Sequence, residues 1–262
     1  MKDRTALAVG LALVAVLVYG MARLGFFDPR LIDGVGQLGS LFGMMLPPDP
    51  GSWDRATIYL KALGETLAIA FLGTLLAAIL AFPVGFLAAR NVVANRIVHF
   101  LSRRSLDTLR GVDVLIWALI WINVVGLGPF AGVLALMTSD LGTFGKLFSE
   151  AIEASDRRPV EGVASTGGGR LQRIRFGILP GVLPLMASQV LYYIESNTRS
   201  ATIIGIVGAG GIGLHLAEQI RTLEFQQVAF IILLVLIAVA AIDWLSTRLR
   251  LALIGRGRVA RA

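Results

Sequence analysis

Two ionisable side chains, Glu195 and Arg199, stand four residues apart in a predominantly apolar part of the sequence. On a helix this spacing places the acid and the base on one face, where they can form an ion pair. Asn197, Thr198 and Ser200 add hydrogen-bonding groups around them. Ionisable groups at membrane depth usually face the interior of a helix bundle and often mark a pathway. The cluster therefore predicts either a pathway that offers donors to a passing oxyanion or an ion pair that only fixes the end of a helix.

Other catalytic or cofactor chemistry is not indicated by the sequence. The chain has no Cys and only two His, which excludes disulfides, thiolate metal sites, a Cys nucleophile and a His-rich metal site. The predicted spans hold no paired carboxylates and no nucleophile with a base beside it, so we predict no catalytic residue and no metal. The Walker pattern G-x-x-x-x-G-K-[ST] is absent, and any ATP must bind to another subunit.

A glycine-rich segment at residues 208–213 matches the spacing of a dinucleotide-binding loop, but that interpretation fails. Such a loop also needs an acidic residue about 20 positions later, within a βαβ unit. Only an apolar stretch follows here. We expect the glycines to allow a sharp turn or a close helix approach on the outer side, at a candidate gate. They are Gly208, Gly210, Gly211 and Gly213.

The composition indicates a membrane protein. Hydrophobic residues make up 56% of the 262 residues and charged residues only 16%, against about 25% charged in soluble domains. This balance excludes an ordinary soluble globule and also a disordered chain. The net charge of +7 could suggest nucleic acid, but basic residues also orient membrane proteins. We therefore predict an all-α protein in the lipid bilayer, with no nucleic-acid partner.

Apolar stretches without acidic or basic residues give the expected spans. They cover residues 5–22, 66–89, 114–139, 176–194 and 225–242, whereas 200–214 is too short and too rich in glycine. The stretch 114–139 is interrupted by Gly126-Leu-Gly-Pro129. It is either a hairpin of two helices, starting near Leu106 and ending near Phe148, or one span with a re-entrant segment.

The distribution of basic residues favours the hairpin. With about six spans, 18 of the 24 Lys and Arg residues fall on one side, together with both termini. The positive-inside rule makes that side cytoplasmic, and the first span is expected to be an uncleaved anchor.

We divide the chain into an anchor with an external polar segment (1–55), a transmembrane domain (56–254) and a basic tail (255–262). Within the transmembrane domain, Asp140 is interpreted as a helix cap after Thr138 and Ser139 in preference to a pathway residue.

The long basic loop at residues 146–175 carries the most specific signal. The run Glu161-Gly-Val-Ala-Ser-Thr-Gly167, followed by Leu179-Pro180, resembles the cytoplasmic coupling loop of ABC importer permeases, E-A-A-x3-G-x9-I-x-L-P. Glu161 would offer a charge or a helix-end hydrogen bond. Gly167 would let the chain turn where a side chain would clash, and Pro180 suits the first turn of the next helix. The candidate coupling residues are Glu161, Gly162, Val163, Ala164, Gly167, Leu179 and Pro180, with Gly177 in place of the isoleucine of the pattern.

Four further segments look like the membrane permease of phosphonate ABC importers. They are residues 125–132, 145–152, 193–199 and 205–213, and the resemblance covers about residues 56–250. It implies a type I importer permease bundle with a cytoplasmic coupling helix, in the bacterial inner membrane. It also places Glu195, Asn197 and Arg199 on an E-x-N-x-R pattern.

The resemblance further implies partners and a substrate. The partners would be a second permease chain (the same or similar), a dimer of cytoplasmic ATPases that hold ATP and Mg, and an external phosphonate-binding protein. This chain would hold no cofactor and would not be an enzyme. It would move phosphonate, or the related phosphate or phosphite, by alternating access. The alternative is a stand-alone channel or scaffold without an ATPase, and a membrane enzyme is a weaker third possibility.

Overall fold

The computed structural model describes residues 2–26, 30–93 and 95–259, and these contain helices but no strand. The chain forms two compact units, Met1–Pro48 and Asp49–Ala262. The first unit contains α1 (Lys2–Arg23) and α2 (Arg30–Met44). The second contains α3 (Trp53–Ala88), α4 (Arg96–Arg110), α5 (Val114–Val125), α6 (Pro129–Glu153), α7 (Arg157–Ser165), α8 (Arg170–Gln172), a π-helix (Arg173–Ile178), α9 (Leu179–Ile206), α10 (Ile212–Arg221) and α11 (Phe225–Val259).

The core of the second unit is the packing of α3 against α6 and α9. Two glycines of α3 let α6 approach closely, since a Cβ at Gly73 would lie 2.7 Å from Leu136 Cβ, and one at Gly85 would lie 2.9 Å from Phe148 Cβ. Small residues at such contacts are typical of membrane helices, where close packing replaces the hydrophobic driving force. The two glycines of α3 therefore serve close packing against α6.

Helix lengths and composition agree with a membrane bundle. Four described helical segments are long and apolar enough to span: Thr5–Arg23, Trp53–Ala88, Arg170–Ile206 and Phe225–Ala252. The α4–α5 pair passes the same test when taken together, which makes five. The remaining predicted span corresponds to α6, whose 25 residues extend about 37 Å but include charged residues.

The predicted start of the third span near Leu106 is wrong. Leu106 lies inside α4, the helix ends at Arg110, and α5 leaves at an angle of 89°. The Asp113 side chain starts α5 because it accepts a hydrogen bond from the Leu115 N–H. The 12 residues of α5 extend only about 18 Å, less than the hydrocarbon core of about 30 Å.

The turn predicted after α5 is confirmed. Gly126 and Gly128 have φ of 92° and 135°, values that favour glycine. Pro129 then occupies the first turn of α6, where its missing N–H costs nothing. Both α4 and α5 pack on α6. The short segment at residues 200–214 is also not a span, because α9 ends at Ile206 and α10 begins at Ile212.

Candidate functional site

A polar cluster is buried where α3, α6 and α9 meet. The Asn197 side-chain amide donates hydrogen bonds to Thr74 Oγ1, at 2.7 Å, and to the Asp140 carboxylate. Asp140 and Asn197 are each only 5% exposed. Buried polar groups at membrane depth need internal partners because water is absent there. The cluster therefore links α3, α6 and α9 through the hydrogen bonds of one side chain.

The prediction that Asp140 is a helix cap is wrong. Asp140 lies in the middle of α6, which begins at Pro129 and continues to Glu153. The helix is not interrupted because the carboxylate finds its donor on α9 and does not need a nearby backbone N–H. Thr138, on the same stretch, accepts a hydrogen bond from Trp121 Nε1 at 3.0 Å. Asp140 is thus an interior residue facing the candidate pathway helix α9.

The predicted pair between Glu195 and Arg199 is present, with 3.5 Å between Arg199 Nη1 and Glu195 Oε1. A second arginine, Arg250 of α11, reaches the other oxygen of the same carboxylate at 3.4 Å. The Glu195 side chain is 10% exposed, whereas Arg199 is 50% and Arg250 25% exposed. Sequence analysis missed Arg250 because it lies 55 residues after Glu195, on another helix. A buried acid on α9 therefore stands between two cations, one of which is accessible.

The remaining members of the predicted patch divide between two faces of α9. Asn197 and Thr198 point into the bundle, and the Thr198 hydroxyl donates to the Ile194 carbonyl at 2.9 Å. Ser200 is half-buried. The five residues are therefore not one patch, because Asn197 contacts Asp140 while Arg199 reaches away from it.

The glycine-rich segment makes both the turn and the close approach that were predicted. Gly211 has φ 75° and ψ −167°, a region that essentially only glycine adopts. At Gly213 a Cβ would clash with the Thr202 carbonyl oxygen, so α10 contacts α9 without a side chain between them. Gly208 and Gly210 also have positive φ. A role as a gate stays a prediction.

Two polar residues of α3 hold this turn and were missed by sequence analysis. The Gly211 N–H donates to Glu65 Oε2 at 3.0 Å, and the Ile212 N–H donates to Thr66 Oγ1 at 2.8 Å. These bonds satisfy backbone donors at the start of α10. The sequence signal was the pair Glu65-Thr66 at the start of the apolar stretch 66–89. It was missed because that stretch was taken as the span, whereas α3 begins at Trp53 and includes both residues.

The candidate coupling residues begin on α7, a short helix with no buried residue. The Asp156 side chain caps α7 by accepting from the Arg158 N–H at 3.0 Å. Glu161 lies in the middle of α7, and the charge or hydrogen bond that it would offer to a partner stays a prediction. Its side chain is exposed and makes no ion pair or hydrogen bond with any other described residue. Gly162 and Ala164 are also exposed, and Val163 is half-buried.

Glycines fix how α7 meets the following π-helix. Gly167 has φ 79°, but a Cβ there would meet open space, so the expected clash is wrong and the backbone angle is the constraint. Gly177, which replaces the isoleucine of the coupling pattern, lies against α7, because a Cβ there would be 2.9 Å from Val160 Cα. Leu179 and Pro180 open α9 as predicted. Glycine at this position of the pattern therefore allows the π-helix to contact α7 closely.

Among the described residues, no group of three or more His, Asp or Glu side chains could hold a metal ion. The two guanidinium groups that flank the Glu195 carboxylate are hydrogen-bond donors of the kind that bind oxyanions.

Comparisons with known proteins agree with one another. Residues 81–254 match the family described as "Binding-protein-dependent transport system inner membrane component". The chain is 42% identical over 242 residues to the putative phosphite transport system permease protein HtxC of Stutzerimonas stutzeri, covering 92% of this chain and 84% of the relative. It is 49% identical over 118 residues to the putative cryptic phosphonate transport system permease protein PhnE2 of Escherichia coli K12, covering 45% of this chain and 97% of that relative.

A solved structure shares the fold. An inward-facing MetNI methionine ABC transporter aligns with a TM-score of 0.68 at 20% identity, over 77% of this chain and 99% of the matched chain. At this identity the likeness concerns the fold of the bundle.

Proposed function

This chain belongs to the family of inner membrane components of binding-protein-dependent transport systems, and we propose that it carries phosphonate, or the related phosphite or phosphate, across the membrane. It is the permease subunit of an ABC importer. The observation that carries the substrate class is the 42% identity with the putative phosphite permease along 92% of this chain. Glu161 is exposed and has no hydrogen-bond or ion-pair partner among the described residues, which supports coupling to a separate ATPase.

In the proposed transport complex, this chain combines with three further components. A dimer of cytoplasmic ATPases binds ATP and Mg, and an external protein delivers the anion. A second permease chain, the same or similar, completes the membrane part. Residues 56–254 form the transmembrane domain of this chain, and both termini lie in the cytoplasm with α7.

The coupling route runs from α7 into the bundle. An ATPase that engages Glu161 displaces α7, and the contact between Val160 and Gly177 passes the movement to the π-helix. The π-helix continues directly into α9. Because Asn197 ties α9 to α3 and α6, movement of α9 biases the whole bundle between two states, as alternating access requires.

The proposed anion pathway passes Arg199. Its guanidinium is half exposed and offers donors suited to oxyanions. Glu195 neutralises part of this charge, which keeps binding weak enough for release. Arg250 holds Glu195 from the other side. The turn at residues 208–213, held by Glu65, is the proposed gate.

Copurification tests the assembly first. The tagged chain is extracted from its native membrane in mild detergent, and the proteins that accompany it are identified by mass spectrometry. We expect an ATPase with a Walker motif in equimolar ratio to permease chains. Recovery of this chain alone as a stable oligomer would contradict coupling and favour a stand-alone channel or scaffold.

Charge reversal tests the coupling role of α7. Glu161→Arg is expected to abolish phosphonate uptake while the protein stays in the membrane, because the exposed carboxylate no longer suits its partner. Gly167→Trp should act similarly, since tryptophan does not adopt the required positive φ. The matched control is Glu150→Arg, an exposed glutamate outside α7. Normal uptake by well-expressed Glu161→Arg would refute the coupling role.

Removal of the accessible cation tests the pathway. Arg199→Ala should lower anion uptake about five-fold, the effect of losing about 1 kcal/mol from a charge-assisted hydrogen bond screened by water. The ATPase activity of this variant should still depend on substrate. The control is Arg221→Ala, an exposed arginine on α10. If uptake kinetics are unchanged by Arg199→Ala, Arg199 has only a structural role.

A further inference from the structure

A cleft of about 410 Å³ lies where the end of α3 meets the segment after α7. Three arginines line it: Arg90 after α3, and Arg170 and Arg173 on α8 and the π-helix. Its apolar lining includes Val160 and Ile178. The volume falls within the range of small-ligand sites.

The positive charge in this cleft is not neutralised by the protein. None of its lining residues is acidic. Within the described part of the chain, the Arg90 and Arg173 guanidinium groups make no ion pair or hydrogen bond, and Arg170 donates only to the Val92 carbonyl. Glu153 accepts from the Arg90 backbone N–H at 2.9 Å, but its side chain is already paired with Arg103 at 3.2 Å.

Three guanidinium groups around one cleft repel one another unless an anion lies between them. Planar guanidinium groups match the tetrahedral oxygens of phosphate by paired hydrogen bonds. We propose that this cleft binds a phosphate-type oxyanion, supplied either by the headgroup of an anionic lipid or by free phosphate.

This site is separate from the proposed transport pathway at Arg199. Its occupant would bridge Arg90, at the end of α3, to the segment that follows α7. Val160 of α7 belongs to the same lining. The bound anion would therefore brace the coupling helix against the transmembrane bundle, and the loss of the anion would loosen that contact. Basic pockets between membrane helices on the cytoplasmic side are known to hold lipid headgroups.

The test uses the intact permease with its copurified partners. In the lipid arm, the complex is exchanged into nanodiscs of phosphatidylcholine with a minor fraction of phosphatidylglycerol, and retained phosphatidylglycerol is counted by native mass spectrometry. In the phosphate arm, nanodiscs of phosphatidylcholine alone are equilibrated with radiolabelled inorganic phosphate. Both arms compare wild type with Arg90→Gln, Arg173→Gln and the double variant. The matched control is Arg175→Gln on the same π-helix, whose guanidinium lies over the Phe176 ring, 5.4 Å from its centroid.

We expect retention of the anion to fall about five-fold in each single variant, because each variant loses the attraction of one arginine for an anionic headgroup. The double variant loses two such attractions, and its retention should fall about 25-fold. Arg175→Gln should match wild type. Dependence on Arg90 and Arg173 in the lipid arm supports a lipid headgroup, and dependence in the phosphate arm supports free phosphate. The proposal is overturned if neither arm depends on these arginines, or if Arg175→Gln loses as much. The single variants keep the test valid if the double variant fails to assemble.

Discussion

Asn197 offers the sharpest test of how the bundle is held together. Asn197→Leu keeps the approximate volume of the side chain but removes the donors to Thr74 Oγ1 and to the Asp140 carboxylate. Thr74 keeps its own bond to the Ala70 carbonyl, at 2.7 Å, so its hydroxyl stays satisfied. Asp140 is left buried without the donor from α9. The main cost should therefore come from Asp140.

The magnitude follows from the two bonds. A neutral buried hydrogen bond contributes about 1 kcal/mol and one to a charged group about 2 kcal/mol. Hydrogen bonds between membrane helices measured by double-mutant cycles average only about 0.6 kcal/mol. Because Asp140 is 5% exposed and cannot turn to water, we expect a loss near the upper figure, about 2 kcal/mol in the free energy of unfolding.

The assay is reversible unfolding of the purified permease in mixed micelles with increasing SDS. The matched control is Asn123→Leu, because Asn123 is exposed on α5 and donates only to the Leu119 carbonyl at 2.8 Å. That variant should stay within about 0.5 kcal/mol of wild type. Asp140→Leu and the double variant with Asn197→Leu complete a mutant cycle. Coupling of about 1 kcal/mol or more is expected, and additivity within about 0.5 kcal/mol would refute the contact.

Two further substitutions test the glycine contacts. Gly211→Ala should lower the free energy of unfolding by about 3 kcal/mol, because the backbone angle disfavours alanine and a Cβ would clash with Thr66 Oγ1. The control Gly64→Ala on α3, with open space around it, should instead raise the free energy of unfolding by about 0.5 kcal/mol. Equal unfolding curves for the two variants would contradict this account. Gly177→Ile restores the residue of the coupling pattern but should weaken stimulation of the ATPase by substrate, because the side chain would displace Val160 and α7. Stimulation equal to wild type would show that this contact does not position α7.

The sequence alone determined the properties that depend on composition and on neighbours along the chain. The apolar stretches fixed a helical membrane protein, because backbone groups in lipid must be satisfied within a helix. The coupling pattern identified Glu161 and Pro180 from the sequence, because all of its residues lie in one short continuous segment. The pair of Glu195 with Arg199 was also predictable, because four residues on one helix leave no choice of face.

The tertiary structure decided which distant groups meet. Asp140 and Asn197 are 57 residues apart, and their contact depends on how α6 and α9 are rotated about their axes. Glu195 and Arg250 are 55 residues apart on α9 and α11. Glu65 and Gly211 are 146 residues apart. Helical periodicity tells which residues share a face, but not which face of another helix they contact, because that depends on packing along the whole length of both.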